Sequence, residues 1–278
     1  MLKRLWNNAV IRSIAALLLY ESLSYLIVFL LRILGITFPE SNLGEFINEI
    51  VKITIPVLII AFSFKTISSV NDPLKGLGKS LICGSWFLLL CGAVTAGQIA
   101  ESKGFKSASE ILFFFLFIAA VCFSEELICR GTITEILIRR YGNSIKGKLL
   151  SIFLGSFMFS ICHLSNLLRG QSLKNTILQM ISVFCLAVFL NTIYVRYRNL
   201  YAMILLHAAL DIMTLFEYGI LEGKTLGDSY TDKSSSGLAS FIICNSLYII
   251  AAVIIFLVTN RKGGVKKCSR RSLSSSVS

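Results

Sequence analysis

An all-α, polytopic membrane bundle of about eight transmembrane helices is the fold the sequence predicts, and three observations predict it. Hydrophobic residues make up 55% of the 278, with a mean hydropathy of +0.76, well above a soluble domain of this length. The apolar residues gather into about eight runs, each near the ~20 residues a helix needs to cross the hydrocarbon. The basic residues behind the net charge of +12 collect in short connectors and at the two ends, with fewer in the opposite loops. The whole of 1–278 therefore reads as one membrane-embedded domain.

The runs are centred on about 11–34, 50–70, 80–100, 109–137, 148–168, 174–195, 199–218 and 238–259. The first is too long for a signal-peptide core and lacks a small-residue cleavage site, so it is expected to be a retained anchor. The second holds Pro56, which should kink it or break its ladder of backbone hydrogen bonds. The fourth exceeds what a bilayer needs, so it should tilt or project. The last leads into a basic tail over 260–278, expected to be disordered.

Connector charge orients the bundle. Lys3, Arg4 and Arg12, then Lys65, Lys75 and Lys79, then Arg139, Arg140, Lys146 and Lys148, then Arg196 and Arg198 share one side if the helices alternate. Arg261, Lys262, Lys266, Lys267, Arg270 and Arg271 join them after the last run. The opposite side carries Glu40, Glu45, Glu49, Glu217, Glu222, Asp228 and Asp232. The positive-inside rule then puts both termini in the cytoplasm. Charge arranged this way is topogenic, and no nucleic-acid module accompanies it.

The eight cysteines form no C-x-x-C pair, and all but Cys268 lie in apolar runs, where cysteine packs as a small hydrophobe. Cys129 and Cys162 neighbour polar motifs but are read as packing residues. Cys268 lies in the tail, where lipidation is a weak signal, and the final Ser-Ser-Ser-Val-Ser is no prenylation signal.

Chemistry concentrates in three of the runs. A polar side chain in hydrocarbon costs a few kcal/mol or more, so it usually faces a cavity and serves a purpose. Glu126 and Arg130 are four apart and share a helix face, while Glu125 is rotated about 100° away. One acid can hold Arg130 while the other faces the bundle centre; the plainer alternative is a helix-end salt bridge near the surface. Phe159 and His163 share a face at the same spacing, with the ring stacked on the imidazole and Ser160 and Ser165 available as hydrogen-bond partners. His207 and Asp211 repeat the spacing. Asp211 either accepts the imidazole N–H in a structural contact, or both groups donate to a developing oxyanion, with Asp211 protonated or His207 charged. Two carboxylates, a cation and two imidazoles make a reasonable set for activating water. Neither G-x-S-x-G nor H-E-x-x-H is present.

At these residues the chain resembles the CAAX prenyl endopeptidase and bacteriocin-processing family, also called CPBP or abortive-infection-like. The family pattern E-E-x-x-x-R, F-x-x-x-H and H-x-x-x-N/D reads here as Glu125-Glu126-Leu-Ile-Cys-Arg130, Phe159-Ser-Ile-Cys-His163 and His207-Ala-Ala-Leu-Asp211, within about 105–215. The resemblance implies an eight-helix intramembrane endopeptidase of the glutamate type. Glu125 and His163 would activate water, Glu126 and Arg130 would support them, and His207 and Asp211 would form the oxyanion hole. The prenyl-protein proteases have Asn where this chain has Asp211; the bacterial branch admits either. The resemblance thus implies a bacterial plasma-membrane protein acting on a peptide or protein that is lipidated, membrane-anchored or bacteriocin-like. No cofactor is expected; were zinc bound, Glu125, His163 and His207 would be its ligands. Two other functions fit the same residues: a non-catalytic immunity or binding protein of the same fold, and, less well, a transporter or proton relay.

Overall fold

The computed structural model describes residues 8–64, 72–231 and 237–274, with side chains in the last helix as far as Asn260. The expectations for Lys3, Arg4, Lys65, Asp232, and the Cys268 and basic side chains beyond Asn260 lie outside that description. The long helices are α1 (Ala9–Ile33), α2 (Asn42–Phe64), α3 (Leu77–Glu101) and α4 (Ala108–Glu126). α4 runs without a break through a π-helical segment, Leu127–Thr134, into α5 (Glu135–Tyr141). α6 (Ile145–Cys162) passes into a 3-10 segment, His163–Arg169, followed by α7 (Leu173–Tyr197), α8 (Leu200–Gly219), the short α9 (Asp228–Thr231) and α10 (Leu238–Ser274). Among the described residues there is no strand, only one bridge between Phe105 and Leu221.

Helix starts follow local chemistry. Asn8, Ser107, Ser144, Ser172 and Asn199 each accept a backbone N–H of the first turn, so α1, α4, α6, α7 and α8 all begin with a side-chain cap. α7 ends at Arg198, whose φ of +55° reverses the chain within three residues of the start of α8.

Among the described residues, seven helical stretches are long and apolar enough to cross a bilayer: Ala9–Ile33, Leu77–Glu101, Ala108–Tyr141, Ile145–Arg169, Leu173–Tyr197, Leu200–Gly219 and Leu238–Asn260. Their outward faces are apolar, with Ile82 and Leu89 each 74% exposed, as lipid-facing residues should be. The chain is an integral membrane protein built as a helical bundle. The eighth expected span corresponds to α2, which is helical, but Glu45, Glu49 and Lys52 make its first half more polar. Pro56 lies inside that helix, and positions 65–70 of the expected run are outside the described residues. The backbone of α10 continues through the basic segment to Ser274.

Three buried clusters hold the bundle. α1, the π segment and α6 meet around Ile128, Ile133, Leu137, Met158 and Phe159. α3, α7, α8 and α10 meet around Phe87, Phe189, Met203 and Tyr248, with the Phe87 ring edge to face against those of Phe189 and Tyr248. α4 and the C-terminal half of α8 meet around Phe114, Ile118 and Phe216. Two polar knots tie the ends. Glu135 accepts from Arg139 Nε at 2.8 Å and Tyr194 Oη at 3.3 Å, and also pairs with Arg198. Lys106 donates to the Tyr218 carbonyl at 2.6 Å, and burial lowers the pKa of its ammonium. At Gly219 α8 packs closely against α4. A Cβ there would lie 2.0 Å from the Phe114 ring, and the Gly219 carbonyl accepts from Asn42 Nδ2 at 2.6 Å. Gly219→Ala is therefore expected to destabilise the chain by about 1–3 kcal/mol, measured as a lower thermal unfolding midpoint in detergent. An unchanged midpoint would show that Phe114 can move.

Candidate active site

The site lies where α4 turns into the π segment and faces the ends of α6 and α8. A π turn closes i→i+5 hydrogen bonds, is rare, and gathers at functional sites. Here it begins directly after Glu126, and all eight of its residues are buried. A Cβ at Gly131 would meet Leu127 Cδ1 of the same segment at 3.2 Å, while Leu200 Cδ2 of α8 lies at an ordinary contact distance of 3.6 Å.

The two adjacent acids divide as their angular separation predicts. Glu126 has no exposed side-chain surface, and its Oε1 accepts from Arg130 Nη1 at 2.7 Å. Arg130 is equally buried, so this pair is not a surface salt bridge. The guanidinium carbon stands 4.5 Å from the centroid of Phe159, while Arg130 Nε and Nη2 have no hydrogen-bond partner among the described residues. The ring face adds a favourable cation–π contact to the ion pair. Glu125, by contrast, keeps 32% of its side-chain surface exposed.

Phe159 joins three helices. Its ring meets the His163 imidazole at 5.3 Å between centroids and the His207 imidazole at 5.8 Å, both nearly perpendicular. Counting residues along straight helices puts the two histidines at different depths; contact with edges of one ring brings them to one place. The expected stacking of Phe159 on His163 is corrected to an edge contact. The serines are corrected as well: His163 Nδ1 lies 3.2 Å from the Phe159 carbonyl. Ser160 donates to the Met180 carbonyl at 2.7 Å, and Ser165 to the Cys162 carbonyl at 2.7 Å. A helical hydroxyl finds a backbone carbonyl within its own reach before it finds a ring.

His207 is 7% exposed and sits among three carboxylates. Its Nδ1 is 2.9 Å from Glu126 Oε1, while its Nε2 lies 3.9 Å from Glu125 Oε2 and 3.7 Å from Asp211 Oδ2. Of the two alternatives for this pair, a structural hydrogen bond from His207 to Asp211 is not the one made: the imidazole bonds Glu126, on a different helix. Spacing along α8 could not show this partner. Asp211 Oδ2 instead accepts from Cys122 Sγ at 3.4 Å. Cys122 was missed as a polar participant because it reads as one more small hydrophobe in an apolar run. Its signal was its place three and four residues before the two acids, on their side of α4.

Donor atoms close enough to share a cation are those of Cys122, His207 and Asp211, all within 4.8 Å of one another. Among the described residues the zinc set expected from the sequence, Glu125, His163 and His207, forms no such group. The ring nitrogen of His163 nearest the backbone is taken by Phe159, which holds that imidazole on its own helix end.

Two cavities elsewhere are apolar. One of about 310 Å³ lies between α3 and α8, lined by Leu88, Cys91, Thr95, Ile99 and Ile212 among others. The other, about 450 Å³, lies between α2 and α4 and reaches Phe123, two residues before Glu125.

Residues 107–213 match the family model of Rce1-like type II CAAX prenyl endopeptidases. That stretch runs from the cap of α4 into α8 and holds every side chain of the site, though it covers less than half of the chain. No curated protein and no solved structure matches the chain.

Proposed function

We propose, from the premise that the chain carries an Rce1-like type II CAAX prenyl endopeptidase domain at residues 107–213, that it is an intramembrane endopeptidase using a Glu125-activated water. The observation that carries the proposal is the unequal fate of the adjacent acids: Glu126 is sealed against Arg130 and His207, and Glu125 stays accessible beside the same imidazole.

In this reading Glu125 takes a proton from a water that His163 helps to orient, and the hydroxide attacks the scissile carbonyl carbon. The carbonyl π bond breaks and its electrons move to oxygen. His207 Nε2–H stabilises that oxyanion. With Nδ1 donating to the Glu126 carboxylate, Nε2 carries a proton only on the doubly protonated ring, for which the surrounding carboxylates are the counter-charge. Asp211 donates beside it in its protonated form. Collapse of the intermediate breaks the C–N bond, and Glu125 returns the proton to the leaving amine. Arg130 and Phe159 hold Glu126 and both imidazoles in place, which is positioning rather than proton transfer.

The substrate class follows from the surroundings. A peptide must reach Glu125 beside the apolar cavity between α2 and α4, which suits a lipidated or membrane-anchored segment. The setting proposed is the bacterial plasma membrane, with both termini cytoplasmic. His163→Ala is expected to stop cleavage of membrane-anchored peptides in proteoliposomes while the protein still inserts and stays monodisperse. Cleavage at the native rate by that variant would remove His163 from the reaction.

A further inference from the structure

We infer that Glu21 of α1 is a specificity-determining residue, which selects peptides carrying a lysine or arginine close to the bond that is cut. The inference rests on the endopeptidase reading and deepens it by naming a substrate side chain.

Glu21 stands midway along a helix long and apolar enough to cross the bilayer, outside the stretch matched by the family model. An acid at that depth is costly, so it usually faces a cavity or a partner. Two contacts fix where it lies. Tyr20 Oη donates to Ser124 Oγ at 3.2 Å, which sets α1 against α4 one residue before Glu125. Tyr25 Oη reaches the Ser165 carbonyl at 3.5 Å, which sets α1 against the 3-10 segment that begins at His163. Glu21 and Tyr25 are four apart and share a face. Glu21 is therefore held between Glu125 and His163. Its carboxylate neighbours the thiol of Cys162 and meets the charges of Glu125, Lys52 and Arg169. Glu125 keeps 32% of its side-chain surface exposed, so a peptide that reaches it passes close to Glu21.

The charges at this mouth favour a cation. Glu21, Glu45, Glu49 and Glu125 supply four carboxylates from α1, α2 and α4. The cations that act on Glu21 are Lys52 and Arg169, and both are engaged elsewhere. Lys52 pairs with Glu49 at 2.5 Å. Arg169 donates to Tyr230 Oη at 2.5 Å, with its guanidinium carbon 5.0 Å from the centroid of that ring. Buried charge of one sign must be neutralised by a proton or a counter-ion. A lysine or arginine on the substrate brings the counter-ion, and its aliphatic stem suits the apolar walls. Ser24 is a second, independent sign of a ligand here. It stands three residues from Glu21 and is 3% exposed, yet its hydroxyl has no hydrogen-bond partner among the described residues. A buried hydroxyl left unpaired is unfavourable, and a peptide carbonyl would relieve it.

The test is cleavage, in proteoliposomes, of membrane-anchored peptides that differ only in one residue flanking the bond cut: lysine, methionine or glutamate. At one flanking position the native chain is expected to show a kcat/KM about tenfold or more higher for lysine than for methionine. Glu21→Gln should bring that ratio close to one. Glu21→Lys should transfer the preference to the glutamate peptide, and Glu21→Asp should keep it on lysine. A merely structural role would slow all three peptides together and leave the ratios intact. Circular dichroism and size-exclusion profiles identify any variant that fails to fold; the native ratio and the remaining variants then decide. Equal kcat/KM for lysine and methionine at every flanking position, or a lysine preference that survives Glu21→Gln, overturns the inference and leaves the endopeptidase reading standing. A native chain that cuts none of the peptides overturns both.

Discussion

Replacing Arg130 with methionine is expected to destabilise the chain by about 3–5 kcal/mol, the cost of stranding one member of a buried ion pair. Neither Arg130 nor Glu126 has exposed side-chain surface, and the 2.7 Å contact between them is the short leg of a chain that continues to His207 at 2.9 Å. Methionine fills similar volume and lies against the Phe159 ring, so the loss measures charge rather than packing. The check is thermal unfolding in detergent, together with the double variant Glu126→Gln, Arg130→Met. If charge stranding is the cause, the double variant recovers much of the loss. If the single and double variants unfold alike, the buried pair is not what holds this corner.

Glu125→Gln should behave in the opposite way. Loss of a general base lowers turnover by about 10²–10⁴-fold. Its side chain is one-third exposed and, among the described residues, makes no hydrogen bond, with His207 Nε2 3.9 Å away, so stability should shift by only about 0.5 kcal/mol. Glu126→Gln should lose both activity and stability, because it faces Arg130 and His207 at once. The two adjacent substitutions therefore separate chemistry from support. Steady-state cleavage and unfolding curves for both variants check the contrast; equal effects on the two curves would contradict the division of labour.

Much of this was legible in the sequence because membranes impose strict periodicity and length. Seven of the apolar runs begin within a few residues of their helices; the second, expected at 50–70, begins earlier, since α2 is Asn42–Phe64 with Pro56 inside it. The spacing of Glu126 and Arg130 correctly announced their contact, since neighbours on one helix follow from its pitch. What stayed hidden lies between helices. Nothing in α8 reveals that His207 turns its Nδ1 toward Glu126 rather than toward Asp211, because helix rotation decides it. The π segment was equally invisible: arguments from spacing assume a regular 3.6-residue turn, and Leu127–Thr134 departs from it. Cys122 escaped because composition assigns a cysteine to the core until a carboxylate is found beside it.

The most direct measurement is cleavage of a membrane-anchored peptide by the native chain and by folded Glu125→Gln in proteoliposomes made in H₂¹⁸O, with products weighed by mass spectrometry. The account predicts a new peptide carboxyl terminus carrying one ¹⁸O from the native chain, and product formation reduced by at least about a hundredfold in the variant. Equal yields of labelled product from both proteins would contradict it.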